Sequence, residues 1–210
     1  MSTLPLEPHP DRLLPAEPST RAVARRLYDE VRDLPIISPH GHCDPAWWAL
    51  DDPFADPSSL LVPPDHYLVR MLHSQGVSPE HQGRVPADGT AAADPREAWR
   101  TFATHYHLFR GTPSRLWLDH ALAEVLGVTV RLEEGTADEV YDHIADRLAR
   151  PEYRPRALFD RFGIEFLATT ESPLDDLAHH RTIAASDWDG RVATAFRPDP
   201  VVDPDHQEFG

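Results

Sequence analysis

Two histidines one residue apart, His40 and His42, close a short apolar run. The two-residue period of a strand puts both imidazoles on one face, as two ligands of a single metal ion require. The spacing is weak evidence alone, because 13 histidines in 210 residues make about one such pair expected by chance. A second pair does exist, at His105 and His107. It falls in a helical pattern, where residues two apart point about 200° from each other and cannot share an ion. His40 and His42 therefore read as metal ligands, with surface or core histidines as the alternative. Cys43 is adjacent, but on the opposite face of a continuing strand, and reads as a small buried thiol. Asp65, His66 and Tyr67 combine a helix cap, an acid or base and a phenol at one helix start. Arg197 follows an apolar strand and precedes Pro198. It reads either as a bidentate carboxylate clamp or as a loop ion pair with Asp199. Trp47, Trp48 and Phe54 fit a sugar-binding wall or a core beneath a proline-rich loop. The acid pairs Asp51 and Asp52, Glu133 and Glu134, and Asp175 and Asp176 are most simply solvated faces or helix starts. Gly-rich phosphate loops, a G-x-S-x-G elbow and paired C-x-x-C motifs are absent.

The elements that must carry these residues are partly visible. Ser19 or Thr20 caps a helix with Val23, Leu27 and Val31 as its apolar stripe. Leu34 to Ser38 reads as one buried strand opening into a loop. Residues 44 to 64 are broken by five prolines and read as loop. Helices are predicted from Asp65 to about Gly76, from Asp94 through Phe109 with Trp99, Phe102 and Tyr106 on its apolar face, and from Thr112 to Gly127. A low-complexity link, residues 86 to 94, precedes the second of these. Thr136 and Glu139 form a capping box for a helix that Pro151 stops. The chain then changes character: Ile164 to Thr169 and Arg191 to Phe196 are strands flanking a helix, a βαβ unit. Polar residues at the C-terminal ends of these strands fit a parallel α/β sheet or barrel. Three strands cannot close a barrel, so the sheet is either small and open or incomplete.

Composition narrows the partners. With 20 basic and 35 acidic side chains the net charge is −15, which repels both a phosphate backbone and an anionic membrane surface. Nucleic acid and membrane are not expected as partners. One cysteine cannot form an internal disulfide, and no apolar run reaches signal-peptide or membrane-span length, so the cytoplasm is the expected compartment. All 20 basic residues are arginine, which under the genetic code reflects a GC-rich genome.

The strings LPIISPHGHCDP (34 to 45), DPFADPSSLLVPPDHYLVRMLHSQGV (52 to 77), FRGTPSRLWLDHALAEVLGV (109 to 128), RPRALFDRFGIEFLATTESPLDDLAHH (154 to 180) and FRPD (196 to 199) occur in that order. Together they resemble the N-terminal half of the uronate (glucuronate) isomerases of the amidohydrolase superfamily. The resemblance implies an α/β fold, an incomplete amidohydrolase-like (β/α)8 barrel with a large helical insertion after the first strand. It divides the chain into an arm and helix (1–33), a first barrel strand and loop (34–64), the helical insertion (65–163) and a βαβ part of the barrel (164–210). It also implies aldose-to-ketose isomerisation of hexuronates, D-glucuronate to D-fructuronate and D-galacturonate to D-tagaturonate.

By the same resemblance His40 and His42 match the metal ligands, and His66 and Tyr67 a substrate-contacting pair. Arg197 matches a partner for the sugar-acid carboxylate, and His40 and Tyr67 the catalytic groups. A Zn2+ ion is expected, either polarising the substrate's oxygens or only ordering the site. The partner is a small hexuronate, with homo-oligomer formation by a full-length chain left open. The family completes its site with a histidine, an Asp and an Arg from later strands, none of which can be matched here. The 210-residue polypeptide is thus expected to be inactive or poorly folded by itself. A metal-dependent hydrolase of the same superfamily, and a non-catalytic fragment that binds a uronate or a partner subunit, are the competing readings.

Overall fold

The polar positions predicted at strand ends are carried by three short parallel strands in the order β1, β2, β3. The computed structural model describes residues 3–86, 89 and 91–205, so positions 87, 88 and 90 of the low-complexity link lie outside the described residues. In chain order the elements are α1 (Pro18–Val31), β1 (Ile36–Ser38), α2 (Ala46–Leu50), α3 (Pro57–Leu61), α4 (His66–Ser74), α5 (Pro95–His105), α6 (Pro113–His120), α7 (Ala137–Leu148), α8 (Pro155–Arg161), β2 (Ile164–Glu171), α9 (Ala178–Ala184), β3 (Val192–Phe196) and α10 (Asp199–Val202). The chain divides into two compact units, one within Met1–Pro15 and Phe54–Arg150, the other within Ala16–Pro53 and Pro151–Gly210.

The first unit is helical, and its helix starts follow one rule. Asp56, Asp65, Asp94 and Thr112 each turn a side-chain oxygen onto the free N–H groups of α3, α4, α5 and α6, and three of the four precede a proline that suits the first helical position. Trp99, Phe102, Tyr106 and Phe109 fill the interior with Leu118, Leu122, Val140 and Ile144. The Trp99 indole donates to the Ala137 carbonyl at 2.9 Å and the Tyr106 hydroxyl to Asp119 at 2.9 Å, so both aromatic polar atoms are satisfied inside. Burial first, and then Asp119, pushes the Tyr106 phenol well above its usual range. α6 runs into a π-helical turn, Ala121–Val125. The predicted box between Thr136 and Glu139 does not form. The Thr136 hydroxyl instead accepts from the Glu133 N–H and donates to the Arg131 carbonyl, tying the preceding turn. The N-terminal arm is fastened to this unit by a bridge between Pro5 and Val130.

The second unit holds the sheet. β2 pairs in parallel with both neighbours, Ser38 opposite Leu167 and Glu171 opposite Phe196. With α9 between them, β2 and β3 form the expected βαβ unit. Its core is Trp48, Phe159, Leu167 and Ile183, with Trp188 and Cys43 packed against them. Residues 44 to 64 are not all loop, since Pro45 and Pro57 stand at helix starts, where a missing N–H costs nothing. Trp47 and Trp48 thereby sit in a helix, on the core. Asp51 adopts a left-handed backbone (φ 53°), and its carboxylate accepts the Arg156 N–H at 3.0 Å, so of the two readings of this acid pair Asp51 serves a helix start, that of α8.

Two expectations are reversed in this unit. Glu17, not Ser19 or Thr20, caps α1: its carboxylate accepts from both backbone N–H groups and both hydroxyls. No residue of α1 is buried, so the stripe of Val23, Leu27 and Val31 is exposed. The strand at Ile36 and Ile37 is likewise exposed, not buried. No helix among the described residues is long and apolar enough to cross a membrane.

Candidate functional site

His40 and His42 lie beyond the end of β1, in irregular chain that starts at Pro39. The loop, rather than the strand's alternation, brings them together: their Nε2 atoms are 3.0 Å apart and their rings are nearly perpendicular. One hydrogen bond and one close backbone approach hold that loop over β2. The Thr170 hydroxyl donates to the Gly41 carbonyl at 2.9 Å, and a Cβ on residue 41 would stand 3.3 Å from the Ala168 carbonyl oxygen. Glycine at 41 is what allows this close approach.

His40, His42, Thr170, Phe196 and Arg197 line one open cavity of about 370 Å³. Arg197 leaves the end of β3 as predicted, and also makes the alternative contact: its Nε donates to Asp199 at 2.9 Å. Both readings of Arg197 are thus compatible, because the terminal guanidinium nitrogens have no partner among the described residues. The imidazole pair suits a metal in one respect. Two nitrogens bound to one tetrahedral zinc at about 2.0–2.1 Å stand roughly 3.3 Å apart, close to the separation here. Among the described residues, however, no group of three or more His, Cys, Asp or Glu side chains could hold an ion, so the pair supplies two ligands and no more.

A second cavity, of about 400 Å³, shares His42 and Thr170 with the first and is walled by Cys43, Glu171, His179 and His180. Behind it Thr169 is fully buried. Its hydroxyl oxygen lies 2.9 Å from Glu171, 2.8 Å from His180 Nε2 and 3.1 Å from the Ala193 carbonyl. One hydroxyl hydrogen faces two acceptors here, so the His180 Nε2–H is the donor into the oxygen. Sequence reasoning missed Thr170, Glu171 and His180 as a group. The available signal was Thr-Thr-Glu at a strand end and a histidine nine residues later. Cys43 is half-buried, and burial raises its thiol pKa, which keeps it a neutral packing group.

His66 and Tyr67 belong to the helical unit. Their rings stack with centroids 4.2 Å apart at the start of α4, where Asp65 accepts the Tyr67 N–H at 2.8 Å. With Leu61, Pro64 and Trp117 they line a separate hollow of about 300 Å³. The second histidine pair, His105 and His107, bonds Nδ1 to backbone carbonyls of its own turn, as expected of non-ligands.

A family model described as glucuronate isomerase matches residues 19–210. The uronate isomerase of Rhizorhabdus wittichii is 65% identical over 209 residues, 100% of this chain and 44% of that protein. The uronate isomerase of Xanthomonas euvesicatoria pv. vesicatoria is 63% identical over 202 residues, 96% of this chain and 43% of that protein. Among solved structures, glucuronate isomerase from Caulobacter crescentus superimposes with a TM-score of 0.92 at 56% identity, covering 95% of this chain and 42% of that one. Uronate isomerase from Thermotoga maritima does so with 0.78 at 29% identity, over 91% and 40%. The chain spans less than half the length of each relative.

Proposed function

We propose, since this chain belongs to the glucuronate isomerase family, that it forms part of an enzyme converting D-glucuronate to D-fructuronate and D-galacturonate to D-tagaturonate. The observation that carries this reading is the shared cavity of His40, His42 and Arg197. In a chain of net charge −15, an anionic sugar needs a local cation, and among the described residues Arg197 is the arginine that lines that hollow. We read the three-stranded sheet as part of an amidohydrolase-like (β/α)8 barrel, and residues 65–163 as a helical insertion after its first strand.

Moving hydrogen between C2 and C1 of an aldose requires a base, an acid at the carbonyl oxygen and a fixed substrate. Arg197 binds the C6 carboxylate through its terminal nitrogens, while Asp199 holds Nε and sets the plane of the fork. His40 and His42 would hold zinc through their Nε2 atoms, and zinc, when bound, supplies a Lewis acid at the substrate's oxygens. Because the His40 Nε2 is the atom facing His42, it either holds the ion or carries a proton. For Tyr67, in the helical unit, the resemblance supports a proton-handling role at its phenolic oxygen, with His66 against the ring. Thr170 fixes the loop that presents both imidazoles.

Titration of the chain with glucuronate and with glucose tests this reading, the two sugars differing at C6. Glucuronate is expected to bind, and Arg197→Ala to weaken it by about tenfold or more, with Arg197→Lys in between. Equal binding of the two sugars, or glucuronate binding indifferent to Arg197→Ala, would sink it.

A further inference from the structure

We infer a second anion site in the helical unit, one that takes the phosphate monoester of a small molecule such as a sugar phosphate. A cavity of about 320 Å³ there is lined by Arg12, Arg110, Arg115 and Arg131 among ten residues. With 20 arginines in 210 positions, ten residues drawn at random hold about one. Among the described residues, Glu7 and Asp119 are the acids in the lining, so a surplus of two positive charges faces this hollow in a strongly acidic protein.

Three of the four guanidiniums are held from behind. Arg115 stacks on the Tyr106 ring at 3.8 Å, donates through Nε to Asp119 at 2.8 Å and through one terminal nitrogen to the Tyr106 carbonyl at 3.1 Å. Arg131 donates Nε to the Pro5 carbonyl at 3.1 Å, where the arm is fastened by the Leu6 N–H to the Thr129 carbonyl. Arg12 bridges the His9 carbonyl and His120 Nδ1. The Arg110 guanidinium has no hydrogen-bond or ion-pair partner among the described residues. Arg115 and Arg131, fixed planar forks that each keep a terminal nitrogen to spare, match a phosphate or a carboxylate. The charge surplus decides between them: a phosphate monoester carries about −1.5 to −2 at pH 7 and a uronate only −1. The volume admits a ligand of sugar-phosphate size.

The test is titration of the chain with glucose 6-phosphate, followed calorimetrically and by NMR. Saturable binding is expected, weakened by about tenfold or more in the double variant Arg110→Gln with Arg131→Gln and left unchanged by Arg197→Ala. Arg110→Gln alone, at an exposed side chain, is expected to weaken binding by a smaller factor and to preserve the melting temperature, which guards against loss of fold. Absence of saturable binding, binding that survives the double variant, or loss on Arg197→Ala would each overturn the inference. Because the sites answer to different arginines, failure here leaves the glucuronate result standing, and the reverse also holds.

Discussion

The helical unit and the sheet unit use the same apolar patterning to opposite ends. In α5 the stripe of Trp99, Phe102 and Ala103 is buried, continued by Tyr106 and Phe109. In α1 the equally regular stripe of Val23, Leu27 and Val31 meets solvent, with Leu27 66% exposed. Within the sheet, only Leu167, Ala168 and Thr169 of the central strand are buried, while β1 and β3 contribute no buried residue. Patterning therefore reports a face that needs a partner, not whether the described residues supply one. The energetic consequence is unequal. Interior side chains of the helical unit are closed on all sides, and large-to-small changes there leave cavities. The same changes on α1 remove surface that is already wet.

The largest expected effect follows directly. Trp99→Ala should cost about 3–5 kcal/mol, because it empties a fully buried indole site and removes the indole's hydrogen bond to the Ala137 carbonyl. Urea unfolding read by far-UV circular dichroism measures it, and Trp99→Phe should recover much of the loss through packing alone. A cost below about 1 kcal/mol would mean that the helical unit is no better closed than the sheet unit, and would break the contrast.

What was legible in the sequence divides along the same line. Caps at Asp65, Asp94 and Thr112, and the aromatic face of α5, could be read because each depends on neighbours within a few residues. The two later strands and the helix between them were legible for the same reason. Helices α2 and α3 are hidden by their prolines, which read as breakers in the sequence but at a helix start break nothing. The exposure of Ile36 and Ile37 is not legible locally, because burial depends on residues distant in the chain. For the candidate site, the spacing of His40 and His42 predicts that the two rings meet, and they do, but through a glycine loop pinned by Thr170 and not through strand alternation. Thr169, Glu171 and His180 form a network across a strand and a helix, which the Thr-Thr-Glu run at the strand end signals only in part, because the histidine comes from a separate element.

A pH experiment sharpens the comparison at α1. With nothing buried to hold it, this helix depends on its ends, and Glu17 supplies the N-cap. Hydrogen bonds hold the Glu17 carboxyl down at about 2, the Ser19 hydroxyl first, then the Ser19 and Thr20 N–H groups and the Thr20 hydroxyl. A depressed folded-state value stabilises the ionised form, so the contribution is complete above the ordinary glutamate value of 4.5 and is lost as pH falls toward about 2. Glu17→Ala should therefore lower helicity at neutral pH, and the gap from the parent chain should close across that acidic window. A gap that persists unchanged at pH 2 would assign the effect to something other than the carboxylate.

The smallest expected effect is the most discriminating. Leu27→Ser is a change that would be ruinous at a core leucine, yet at an exposed position on α1 the change in unfolding free energy should stay within about 0.5 kcal/mol. What should change is association. Val23, Leu27, Tyr28 and Val31 are all exposed on one short helix, and an apolar patch of that kind favours contact between molecules. Sedimentation velocity over a concentration series should show less self-association for the variant at unaltered stability. A destabilisation approaching that of Trp99→Ala would show instead that α1 is packed in solution, and the two stripes would then obey one rule.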